Sequence, residues 1–120
     1  PYYGIRSVYD GRYRYIVNLT PEATFQNVET KSPLFKEWKS LAETDSHAKA
    51  MTTKYQHRPA IELYDVKNDP YCMKNLAEDA KQASTISRLD KELKRWMKDC
   101  GDEGQPTEMR AFEHMPGKRK

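Results

Sequence analysis

The sequence lacks any apolar run near the ~20 residues of a membrane-spanning helix, and its N-terminus has no signal-peptide pattern. Cysteine is scarce: Cys72 and Cys100 stand far apart with no CxxC partner. That leaves buried thiols or a single disulfide, and neither cysteine sits in an activating motif. Five glycines include no phosphate-cradling loop and no GxSxG turn, so no nucleophile has a local base signature. His47, His57 and His114 fall in separate segments without HxxxH spacing or a carboxylate cluster, which reads as surface histidine rather than metal ligation. Asp65, Asn68 and Asp69 miss the spacing of a calcium loop, and no glutamate closes one; a turn is the better reading. Charge of one sign is missing too. The 21 basic and 18 acidic side chains leave +3, too even for a strong polyanion footprint.

What remains is a polar chain of 120 residues, 37% apolar and 32% charged, with a mean hydropathy of −1.02. Such a length holds one domain with a modest core. Eight tyrosines supply much of the bulk, so the interior or its rim is amphipathic, and some apolar surface is left for a neighbour. A single domain over 1–116 is expected, followed by a basic, frayed tail at 117–120. Opening on Pro1-Tyr2-Tyr3 without an initiator methionine, the chain reads as an excised piece.

Residues 3–9 and 12–19 are rich in Tyr, Ile and Val and flank Asp10-Gly11, a hairpin signal for a two-residue type I′ turn. That turn would set Val8 opposite Tyr13 and Arg6 opposite Tyr15 on one face, with Ile5 opposite Ile16 on the other. Ser32-Pro33 reads as an N-cap and first helical position, ahead of Leu34, Phe35, Trp38, Leu41 and Ala42 at helical spacing. A weaker helix covers about Ala48 to Tyr55, and His57-Arg58-Pro59 breaks it. Ile61 to Val66 is the third strand, and Asn68-Asp69-Pro70 a turn. From Ser84 to Cys100, Ile86, Leu89, Leu93, Trp96, Met97 and Cys100 form one stripe, with Gly101 as C-cap. If Trp96 is core, its truncation to alanine costs about 3–5 kcal/mol. The expected fold is α+β: a small antiparallel sheet of three to four strands, a long amphipathic C-terminal helix packed on it, and one or two short helices.

Arg6, Arg12 and Arg14 interleave with Tyr9, Tyr13 and Tyr15, a pattern that a strand-binding surface also uses. With so small a net charge, arginines stacked over tyrosines on an exposed sheet face are the favoured reading, Arg6 over Tyr15 among them.

Four segments, in order, resemble the C-terminal region of sulfatases, most closely the heparan N-sulfatase (sulfamidase) branch and its bacterial relatives. They are Ile5-Arg6-Ser7-Val8 through Asn18-Leu19; Ser32-Pro33 with its helix ahead of Tyr55 and Arg58; Glu62-Leu63-Tyr64-Asp65 with Asp69-Pro70 and Asn75-Leu76-Ala77; and Gly101-Asp102-Glu103-Gly104 with Thr107-Glu108. Cys72 departs from the pattern, standing where the family usually has a glutamate.

The resemblance implies a sulfuric ester or sulfamate hydrolase as parent, with calcium and a formylglycine made from a C/S-x-P-x-R motif. No cysteine or serine here begins that motif, so neither cofactor is expected in this chain and no catalytic or metal-binding residue is assigned. The implied role is a non-catalytic domain that docks on the parent's larger N-terminal α/β domain and helps to wall a pocket for sulfated carbohydrate. Tyr2, Tyr3 and Arg6 are the candidate rim residues. The implied parent is exported, whether periplasmic, extracellular or lysosomal, and neither nucleic acid nor membrane is an expected partner. The alternative is a free-standing module binding acidic glycans or nucleic acid.

Overall fold

The computed structural model describes residues 3–27 and 29–114, and Tyr2 and the 117–120 tail lie outside them. The chain divides into two compact units, one formed by Pro1–Thr20 with Ala60–Lys120 and the other by Pro21–Pro59.

The first unit is α+β. Strands β1 (Ile5–Tyr9), β2 (Tyr13–Asn18) and β3 (Ile61–Asp65) make an antiparallel sheet with β2 in the middle. Helix α3 (Ala83–Asp99) packs on one face, and a short helix, which we label α4 (Gln105–Met109), follows it. The second unit carries α1 (Pro33–Leu41) and α2 (Ser46–Gln56). Among the described residues no helix is long and apolar enough to cross a membrane.

The hairpin forms where the sequence predicts it, but its register differs. Val8 pairs with Tyr15 and Arg6 with Val17, so the two loop residues are Gly11 and Arg12 rather than Asp10 and Gly11. The cause is the Asp10 side chain. Its Oδ1 accepts the backbone N–H groups of Arg12 (2.9 Å) and Tyr13 (2.7 Å), which makes Asp10 the first residue of the turn. Gly11 alone then needs positive φ, and has +100°. Because the pairing moves by two residues, every side chain keeps its predicted face.

On the helix-facing side Tyr15, Leu63, Leu89 and Leu93 form the core, with Val8, Val17, Ile86 and Met97 packed around it. Trp96 departs from expectation: it is 58% exposed. Met97, the next residue along, still packs on the core, so direction around the helix and not reach along it leaves the indole outside: each residue turns about 100° from the last. The helix ends in a Schellman cap: Gly101, at φ +71°, donates to Lys98 O, and Asp102 N–H donates to Met97 O at 2.7 Å.

The opposite face of the sheet buries polar groups. Glu62 accepts from Asn18 Nδ2 at 2.7 Å and from the Tyr64 hydroxyl at 2.5 Å, which satisfies a carboxylate that would be costly to bury alone. Beyond β3, Asn75 Oδ1 accepts from Leu63 N–H and Ala77 N–H. Asp69 accepts from Met73 and Lys74 N–H. The acidic and amide residues of this stretch thus stitch a turn and the free edge of β3.

In the second unit Ser32 caps α1 by accepting from Phe35 N–H, with Pro33 opening the helix, and Asp45 caps α2 through Ala48 N–H. Phe35 is buried, while Leu34, Trp38 and Leu41 are each more than half exposed.

Candidate functional site

Arg6, the described cation among the rim candidates, is paired with two carboxylates. It projects from β1 on the helix-facing side, where Asp102 meets it through Nε (2.5 Å) and Nη2 (3.1 Å), and Glu108 through Nη1 (2.6 Å). Its side chain is 13% exposed. Two further bonds fix the clamp. Gly104 N–H donates to Asp102 Oδ1 at 2.9 Å, and Glu108 N–H donates to Gly104 O. The hydrogen bond from Arg6 is the main reason the Asp102 carboxyl lies below its ordinary pKa. The clamp ties the first strand to the segment after α3. Asp102 and Glu108 belong to the fourth sulfatase-like segment, and both carboxylates pair with Arg6.

Arg6 does not stack on Tyr15. The core takes that ring, and its hydroxyl donates to Asp90 at 2.9 Å; Asp90 also pairs with Lys94 at 2.7 Å. Burial first, and then the bond to Asp90, raise the Tyr15 pKa. For Asp90 burial opposes ionisation, but the hydrogen bonds from Lys94 and Tyr15 prevail and its pKa is lowered. Asp90 carries no sequence signal beyond the rule that a buried tyrosine hydroxyl needs a partner. A groove of about 370 Å³ opens here, bounded by Arg6, Tyr15, Asn18, Ile61, Asp90 and Met97 among others.

The hairpin arginines do stack on tyrosines. Arg12 lies 4.9 Å from the Tyr13 ring centre and Arg14 5.4 Å from that of Tyr9. Arg12 also pairs with Asp65 at 3.0 Å, and Arg88 with Asp10 at 2.7 Å. Asp10 is brought down to about 2, first by Arg88 and then by the two turn N–H groups; Arg12 chiefly, with Asn68, does the same for Asp65. Tyr3 is half-buried.

The second unit holds an aromatic cluster. Tyr55, on α2, meets Phe25 edge-on with ring centres 5.7 Å apart and Phe35 at 5.5 Å. Arg58 lies 4.4 Å over Phe25 and 5.7 Å from Tyr55. Asn27 Nδ2 donates to the Tyr55 hydroxyl at 3.0 Å. Beside the cluster, grooves of about 360 and 280 Å³ share Trp38 and Met51. Phe25 and Asn27 come from a stretch with no periodic signal, so only the fold shows their part.

Among the described residues no three His, Cys, Asp or Glu side chains gather as metal ligands. Cys72 precedes Met73-Lys74 and Cys100 precedes Gly101-Asp102, so neither begins a C-x-P-x-R motif.

Two curated proteins from Formosa agariphila, each described as an ulvan-active sulfatase, match this sequence. One is 33% identical over 108 residues, covering 87% of this chain and 18% of the relative. The other is 32% identical over 97 residues, covering 81% of this chain and 18% of the relative. Over most of its length the chain is similar to a segment of these two sulfatases. It spans about 18% of the length of these relatives. No protein-family model matches it. The matches support the sulfatase resemblance in general and do not distinguish the heparan N-sulfatase branch.

Proposed function

We propose that this chain is a non-catalytic, C-terminal domain of a sulfatase that acts on sulfated carbohydrate as a sulfuric ester or sulfamate hydrolase. It would dock on the larger domain that holds the formylglycine and calcium, and help to wall the substrate pocket. The observation that carries the reading is the match to two sulfatases over most of this chain but under a fifth of theirs. Two features fit it. The reactive motif is missing from the sequence, and Leu34, Trp38, Leu41 and Trp96 leave apolar surface for a neighbour. A free-standing polyanion binder is less well supported, because carboxylates already neutralise Arg6, Arg12 and Arg88.

The test is direct. Incubated with a chromogenic aryl sulfate and calcium, this chain should release no product; turnover that tracks the purified chain refutes the proposal.

A further inference from the structure

Among the described arginines, Arg6, Arg12, Arg88, Arg95 and Arg110 each pair with a carboxylate. Arg14 is exposed over Tyr9, where water solvates its charge. Arg58 is different. It is half-buried, yet no described carboxylate pairs with it. Its protein contacts are the faces of Phe25 and Tyr55 and one hydrogen bond from Nε to Tyr55 O at 3.3 Å.

A half-buried cation without a counter-charge is costly, and aromatic faces offset only part of that cost. The surroundings hold it in place. Phe25 N–H donates to Gln56 O at 2.7 Å, Phe25 packs edge-on against Tyr55, and Tyr55 is braced by Phe35 and Asn27. Among the described residues nothing bonds the two terminal nitrogens of the guanidinium, a planar fork that suits the oxygens of an oxyanion. The Tyr55 hydroxyl accepts from Asn27 and keeps its own proton for a further acceptor.

We propose that Arg58, held over Phe25 and Tyr55, is an anion contact that takes a sulfo group of a sulfated sugar. This rests on the sulfatase reading above. The flanking rings supply apolar edges against which a sugar ring can lie, which a lone protein carboxylate would not require.

The experiment titrates the chain with inorganic sulfate, with a sulfated glucosamine monosaccharide and with acetate. It follows the Arg58 Nε–H and the ring protons of Phe25 and Tyr55 by NMR. Both sulfated probes should give saturable shifts, with acetate weaker by about tenfold or more. Arg58→Met should abolish the shifts and Arg58→Lys weaken them about tenfold, while Arg12→Met leaves them unchanged. Shifts that survive Arg58→Met, acetate binding as tight as sulfate, or no saturable shift would each overturn the proposal. Circular dichroism checks the fold of Arg58→Met; if it fails to fold, Arg58→Lys and the sulfate-against-acetate comparison still decide. Aryl-sulfate turnover by the chain would sink the earlier reading yet leave a sulfate shift standing. An absent shift without turnover sinks this site alone.

Discussion

Replacing Arg6 with methionine keeps most of the aliphatic stem and deletes the charge that Asp102 and Glu108 share. The three side chains are 13%, 14% and 25% exposed. Removing one partner of a fully buried pair costs about 3–5 kcal/mol, while an exposed pair contributes roughly 0–1 kcal/mol. A mostly covered clamp with a residual solvent edge should fall between, at about 2–3 kcal/mol. Two neighbouring carboxylates would then face each other without their cation. In urea, with a slope of about 1.5 kcal/mol/M, the midpoint should drop by roughly 1–2 M.

The pH dependence supplies an independent check. The Arg6 hydrogen bond holds the Asp102 carboxyl below its usual 3.8. A depressed folded pKa means that the added stability is present above the unfolded value and fades as pH falls through the folded one. The gap between native chain and variant should thus be widest near neutrality and narrow below about pH 4. Asp102→Asn, which keeps an acceptor but not the charge, should cost less than Arg6→Met. An Arg6→Met loss under about 0.5 kcal/mol at pH 7, or a gap that is the same at pH 3 and pH 7, would refute the reasoning.

Leu93→Ala should cost about 2–5 kcal/mol because Leu93 is 2% exposed within the core; Trp96→Ala should cost under about 1 kcal/mol in the same urea series, and a larger loss would place that indole in a packed site. Tyr15→Phe should lose about 0.5–1.5 kcal/mol by stranding Asp90. Burial, then Asp90, raise the folded Tyr15 pKa above 10.0, so that contribution holds below pH 10.0 and fades above it. Absorbance titration should show Tyr15 ionising late, as the native chain unfolds, and the late step should shrink by one tyrosine in the variant.

Much of this fold was legible as local chemistry. Ser32-Pro33 announced α1 because a hydroxyl cap and a pre-set φ act within one turn. The Leu89–Leu93 spacing and Gly101 marked α3 and its end for the same reason. The turn after β3 was legible from Asp69, whose carboxylate accepts from N–H groups four and five residues on, whereas the reach of Asn75 back to Leu63, twelve residues away, had no local signal. The loop register was not, because two turn geometries share the Asp-Gly signal and the Asp10 carboxylate chose between them. Arg6 was legible as a notable cation but not as a committed one: its partners lie 96 and 102 residues away, and no local rule spans that distance.

The order of residues by itself determined the three strands, helices α1 to α3, the two faces of the hairpin and the absence of a formylglycine motif; the short α4 was not among its signals. Each depends on near neighbours or on identity alone. Tertiary structure decided which charges are spent and which remain. Arg6 is neutralised by segments far along the chain, Trp96 is left exposed beside a core-facing Met97, and Arg58 lies over aromatic rings with no described carboxylate paired to it. Ion pairing and burial depend on where distant segments meet in space, which spacing along a chain does not encode.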